Sequence, residues 1–260
     1  MLDHAIVGID HAPTTDRLIA ELQDLARLGV TRLTLLTVLG GHYPQAPQER
    51  HREHYRQRLQ AMAAELSRAE VAVEVRSGDP AAELRETAAE SDADLIVVGS
   101  HGHTPWRDLF LGSTVLELLR TSAIPVLLLP LHTGATERGG GVLLATDGSD
   151  SAVPAEVLAG ALARSLGGVA TTVVPSQASG EDVVAAREHL DRALDGALQP
   201  RVERGPVPET IGLVAEEQRA DLIVTGARGR NPLTGLLLGS TAEHVLRASR
   251  RPVLLVPAGR

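Results

Sequence analysis

Residues 93–130 and 220–257 of this 260-residue chain are one segment written twice. They align without a gap, and 21 of 38 positions are identical. The starts of the two halves also match, AIVGID at 5–10 against VLLATD at 142–147. The offset is 137 at the first pair and 127 at the second, so the second half is ten residues shorter in between. A repeat of this kind requires two copies of one folding unit, and the length suits two small domains. The expected domains are 1–132 and 141–260, joined by a polar, glycine-rich linker from His132 to Gly141.

Each half alternates apolar runs with helical patterns. In the first half the strands are read near 5–9, 33–38, 71–75, 94–98 and 126–129, with helices at 14–28, 50–68, 80–91 and 113–121. In the second half the strands are read near 142–146, 169–174, 200–203, 221–225 and 253–256. Continuous apolar strands between helices are the mark of parallel sheets covered on both faces. The fold class is therefore α/β: two tandem doubly wound domains, each a five-stranded parallel sheet with helices on both faces. Such sheets bind ligands beyond the carboxyl ends of their strands, where the strand order reverses. That directs attention to the ends of strands one and four.

Composition excludes several chemistries. The chain has no cysteine, so disulfides, thiolate metal sites and a cysteine nucleophile are absent. It has no lysine either, which removes a Walker A, Schiff-base or kinase-type lysine. The net charge of −8 argues against a nucleic-acid binder. The N-terminal Met-Leu-Asp-His has no basic stretch, and no targeting segment is read there. The apolar stretch from Ala123 to Leu131 falls far short of the ~20 residues of a membrane span. A cytoplasmic protein without membrane or nucleic-acid partners is expected.

Strand four of the first half runs into Gly99-Ser-His-Gly102, nine residues, then Gly112-Ser113-Thr114 at the start of a helix. The second half has Gly226-Ala-Arg-Gly229, nine residues, then Gly239-Ser240-Thr241. Glycines let a backbone approach an anion, and a helix start offers free N–H groups and a positive dipole end. The pattern suits a phosphate. The plainer alternative is that Ser113 and Ser240 only cap their helices.

The spacing Gly-x2-Gly-x9-Gly-Ser after an apolar strand resembles the nucleotide-binding motif of the universal stress protein family. The resemblance covers the whole chain as two tandem domains. It includes Asp10 and Asp147 at the ends of strand one, Gly78-Asp-Pro80, and Pro125-Val126 and Pro252-Val253 opening strand five. It implies a strand order of 3-2-1-4-5 and a ligand that is ATP, with or without Mg2+, or a related adenine nucleotide. It also implies that Asp10 and Asp147 meet the nucleoside, that Val38 contacts adenine, and that Gly148 belongs to the same turn. The glycine loops with Ser113, Thr114, Ser240 and Thr241 would hold phosphates, with His101 and Arg228 beside them. The two strand-five edges would pair within one chain as a pseudo-dimer, which could pair again as a homodimer. The halves depart from the family differently. The first follows Asp10 with His11-Ala-Pro13, whereas the second keeps Asp147-Gly-Ser149-Asp-Ser151. In the second half, the counterpart of strand two, Thr172 to Ser176, is not registered by sequence.

Rival readings of these residues are weaker. Asp10 and Asp147 as phosphoacceptors would need a lysine. His101-x-His103 could ligate a metal, but Arg228 and Arg230 replace it in the second copy, which favours an anion. His51-x-x-His54, with His42 nearby, reads as a solvated face, and Arg50 to Arg58 as a salt-bridged exposed helix. No Gly-x-Ser-x-Gly elbow or Gly-x-Gly-x-x-Gly turn is present. The expected function is a stress-response regulatory protein that binds adenine nucleotide, at most a slow ATPase. The alternatives are a weak nucleotide hydrolase and a structural interaction module with vestigial sites.

Overall fold

The computed structural model describes residues 2–10, 15–40, 48–100, 111–131, 137–228 and 238–258. The first half runs β1 (His4–Gly8), α1 (Thr15–Asp24), β2 (Arg32–Leu39), α2 (Gln48–Glu65), β3 (Glu70–Ser77), α3 (Pro80–Glu90), β4 (Leu95–Ser100), α4 (Ser113–Thr121) and β5 (Val126–Pro130). The second half repeats it with β6 (Val142–Ala145), α5 (Val153–Leu166), β7 (Gly168–Val174), α6 (Gly180–Leu194), β8 (Gln199–Arg204), α7 (Val207–Glu217), β9 (Leu222–Gly226), α8 (Ser240–Ala248) and β10 (Val253–Val256).

All ten strands form one sheet in the order β3-β2-β1-β4-β5-β10-β9-β6-β7-β8. Within each half every pairing is parallel, in the order 3-2-1-4-5. The halves meet where β5 and β10 pair antiparallel, Leu127 opposite Leu254. Strand five is thus an interior strand in both copies, and the chain is an intramolecular pseudo-dimer. Its β5 and β10 residues are buried on both faces, which is why they read as unbroken Val-Leu runs.

The helices divide between the two faces. Leu18, Leu22 and Leu59 of α1 and α2 share a core with Ala159, Leu162 and Leu190 of α5 and α6. The opposite face carries α3, α4, α7 and α8 through Leu84, Leu118, Ile211 and Leu246. Both cores cross the β5–β10 seam. The outer strands are blunted by ion pairs, as exposed edges require. Arg76 on β3 pairs with Glu74 and with Glu90 of α3. On β8 the charges are exchanged: Arg201, at the place of Glu74, pairs with Glu203 and with Glu217 of α7.

Register locates the missing ten residues. Gly8 faces Leu36, and its counterpart Ala145 faces Thr171, so the offset has become 135 by strand two. Val38 faces Arg76 and Val173 faces Glu203, an offset of 127 in strand three. A net two residues are lost between strands one and two, and eight between strands two and three. The 18-residue α2 accordingly becomes the 15-residue α6. Ser179 starts α6 with a capping box: its hydroxyl accepts from the Asp182 N–H, and the Asp182 carboxylate accepts from the Ser179 N–H. These bonds hold the Asp182 carboxyl below the ordinary carboxylate value.

The polar face of α2 is exposed at His51, Arg52, His54 and Arg58, and Arg56 pairs with Glu53. Among the described residues no helix is long and apolar enough to cross a membrane.

Candidate functional site

The strand order reverses between β6 and β9. The chain leaves β6 toward α5 on one face and leaves β9 toward α8 on the other. A cavity of about 290 Å³ opens at that crevice. Ala145, Thr146 and Asp147 border it from the end of β6, and Thr225, Gly226 and Arg228 from the end of β9. Thr171 and Val173 of β7 form its far floor, and Val207 and Ile211 of α7 its outer wall. Gly239, Ser240 and Thr241 bring the start of α8 to its rim.

That helix start is uncapped. Gly239 is the N-cap residue and has no side chain to accept a bond from the first turn. Ser240 is the first helical residue and does not serve as the cap; Ser113 behind Gly112 in α4 is placed the same way. The amides of the first turn therefore receive no side-chain cap from Gly239, and the dipole favours an anion there. Arg228 is exposed at the mouth and pairs with no carboxylate among the described residues. Asp147 lines the cavity while its Oδ1 accepts from the Ser149 N–H at 3.0 Å and from the Ser149 hydroxyl at 2.6 Å. It is both a turn residue and a cavity residue.

Gly148 serves the turn from behind. Its φ is +69°, and a Cβ there would lie 2.9 Å from the His189 ring. Its N–H donates to the Thr146 hydroxyl at 3.1 Å. That hydroxyl donates to Glu156 Oε1 at 2.6 Å, and His189 Nε2 lies 3.0 Å from the same oxygen. Glu156 is only 4% exposed. A buried carboxylate with two partners thus braces the strand end that carries Asp147.

In the first half, Asp10 follows β1 and is exposed, and Val38 lies half-buried on β2 against the second core. Gly99 faces Leu129, and a Cβ there would run into Leu131. Gly112 is the N-cap of α4, and a Cβ on it would meet nothing within 4 Å among the described residues. Ser113 is exposed and Thr114 half-buried. His101, Gly102 and Gly229 lie outside the described residues, as do His103, Arg230 and His42. Among the expected site residues, the structure brings Asp147, Gly226, Arg228, Gly239, Ser240 and Thr241 to one cavity.

Sequence reasoning missed Thr171, Val173, Thr225, Val207 and Ile211. Register makes Val173 the counterpart of Val38, so the strand-two position singled out in the first half has its equivalent in the second. Thr171-Thr-Val-Val174 has no alternation that would mark the row, and register assigns it only once the deletion is divided between its two connections.

The family model of the universal stress protein family matches this chain twice, over residues 1–130 and 141–257. The chain belongs to the universal stress protein family. A universal stress protein of Mycolicibacterium smegmatis is 27% identical over 96% of both chains. One from Mycobacterium tuberculosis is 30% identical over 64% of this chain and 62% of its own. The crystal structure of a universal stress protein from Archaeoglobus fulgidus superposes with a TM-score of 0.80 over 100% of this chain and 97% of that one, at 22% identity. A functionally unknown protein of Pseudomonas aeruginosa PAO1 gives 0.72 over 99% and 93%, at 20% identity. At such identities the last two speak for the fold. For a universal stress protein, the tandem arrangement accounts for the double match and the single sheet.

Proposed function

We propose that this universal stress protein binds ATP or a related adenine nucleotide and acts as a regulatory protein, not as a dedicated enzyme. The observation that carries the reading is the meeting of three things at one switch point: an uncapped helix start, a glycine strand end and a cavity. The phosphates would lie against Gly226, Gly239, Ser240 and Thr241, with Arg228 supplying charge, and any Mg2+ would arrive with the triphosphate. The nucleoside would extend toward Asp147 and Val173. A cavity of about 290 Å³ falls just below the range for small-molecule pockets, ~300–1,000 Å³. It suits a nucleoside with phosphates reaching the rim.

The same roles are proposed in the first half for Asp10, Val38, Gly99, His101, Gly102, Gly112, Ser113 and Thr114, and in the second for Gly148 and Gly229. The domains are proposed to divide at 1–132 and 141–260, and the setting to be cytoplasmic. Mass spectrometry of small molecules carried through purification tests the reading, together with ATP calorimetry on stripped protein. Adenine nucleotide in the first and saturable binding in the second are expected. Protein that purifies empty and gives no heat with ATP would overturn it.

A further inference from the structure

The Thr171 hydroxyl is buried, at 1% residue exposure, and has no hydrogen-bond partner among the described residues. A buried hydroxyl without a partner is destabilising, so native proteins seldom keep one without a reason. Thr171 lines the cavity, and its place in the sheet suggests the reason. It faces Ala145 across β6–β7, and Ala145 faces Thr225 across β6–β9. Three adjacent strands thus present threonine, alanine and threonine side by side. The small Ala145 leaves depth between two hydroxyl-bearing walls, and Ile211 closes the side opposite the sheet.

The first half has Leu36, Gly8 and Val98 at the same three places. There a Cβ on Gly8 would lie 3.3 Å from Leu84 and 3.4 Å from Val98. Those side chains close over the floor, and it carries no hydroxyl. The fold therefore does not need a polar floor, and the second half has one.

We propose that Thr171 is a specificity-determining residue of the second half: its hydroxyl hydrogen-bonds the edge of the ligand's heterocycle. The inference rests on the nucleotide reading of this cavity. Strand spacing puts β7 roughly 10 Å from β9, two strands away, which suits phosphates at the β9 end and a base at the β7 end. The missing partner of Thr171 is then supplied by the ligand. The first half, with Leu36, binds its heterocycle by apolar contact alone.

The test uses the full chain carrying Gly112→Val, so that the second half is read by itself. Thr171→Val and Thr171→Ser are made in that background. ATP and inorganic tripolyphosphate, which has the phosphates but no base, are titrated by calorimetry. Thr171→Val should weaken ATP about tenfold, the usual worth of one buried hydrogen bond, and leave tripolyphosphate unchanged. Thr171→Ser should stay near the parent. Without ligand, Thr171→Val should melt at or above the parent temperature, because it replaces an orphan hydroxyl by a methyl. Undiminished ATP affinity in Thr171→Val overturns the inference. So does an equal loss of both ligands, or a lower ligand-free melting temperature. If the wild type binds neither ligand, the nucleotide reading itself has failed. If the Gly112→Val parent binds neither while the wild type does, binding belongs to the first half and the role of Thr171 falls alone.

Discussion

The two halves share a backbone plan and differ in what lies beneath the strand ends. In the first, Ile9 follows β1, Ile19 lies in α1, and Leu36 and Val98 flank Gly8. In the second, the corresponding residues are Thr146, Glu156, Thr171 and Thr225. The match of Ile19 with Glu156 comes from carrying the β1 offset into the helix, where Leu18, Leu22 and Leu25 fall on Ala155, Ala159 and Leu162. Three of these polar residues, Thr146, Thr171 and Thr225, line the crevice and the fourth, Glu156, is bonded to Thr146, while the glycine spacing is unchanged. The glycine motif and the floor are thus separable: the first is repeated and the second is not.

The strongest way to break the comparison is at the glycines. Gly239→Val places a side chain at the start of α8, where the phosphates are proposed to meet the backbone. It should weaken ATP at the second half by about 100-fold or more, equivalent to ~2.7 kcal/mol. Gly112→Val should do the same for the first half, and calorimetric stoichiometry should fall by one equivalent in each. Two equivalents surviving in either variant would remove the phosphate assignment for that half.

Next in size is Arg251, whose counterpart in the first half is Ile124. It is 2% exposed, donates to the carbonyls of Glu137 and Ala220, and pairs with Glu216. Arg251→Ala leaves those carbonyls without their donor and should cost about 2 kcal/mol. Thermal melting should show a fall of several degrees, with faster proteolysis at Gly139 to Gly141. An unchanged melting curve would mean that this guanidinium does not fasten the linker to the second half.

A smaller and sharper test transplants first-half residues. Glu156→Ile removes the acceptor of Thr146 and the partner of His189, and should cost about 1–3 kcal/mol. Adding Thr146→Ile, as in the first half, removes the hydroxyl that has lost its acceptor but also takes the acceptor of the Gly148 N–H, so the cost of the double variant should differ from the sum of the two singles. Strict additivity in denaturant melts would show that the two residues are not coupled.

The smallest effect is at the α6 cap. The folded-state carboxyl of Asp182 lies below its unfolded value, so its contribution is complete above about pH 4 and is lost as pH falls through the folded-state value. The melting-temperature gap between wild type and Asp182→Ala should therefore close on acidification from pH 6 to pH 3. A gap that is constant with pH would rule out a charged cap.

Much of this was legible in the sequence. Buried parallel strands such as Val253–Val256 are apolar at every position, and the repeat fixed their partners. Strands β2, β4 and β5 lie within two residues of their expected bounds. The floor was harder to read. Thr171 and Thr172 are adjacent and chemically equal, and only register tells which shares a row with Ala145. Glu156 and His189 are 33 residues apart on different helices, so no local motif joins them. Arg251 sits in an ordinary Arg-Arg-Pro run, and its partners Glu137, Ala220 and Glu216 are all at least 31 residues away. Ser113 and Ser240 looked equally suited to capping, and the cap geometry alone excluded it.

The β5–β10 seam has a consequence for how such a protein can change. Its antiparallel register spans three residue pairs. Two separate copies would have to find each other across this seam, whereas a linker of about ten residues holds them at an effective concentration in the millimolar range. Association is then concentration-independent, and a weak seam suffices. A symmetric homodimer places every substitution at two sites at once. In the fused chain a residue such as Thr171 changes one crevice and leaves its twin alone. Covalent linkage thus allows one crevice to be retuned while the other keeps its original floor.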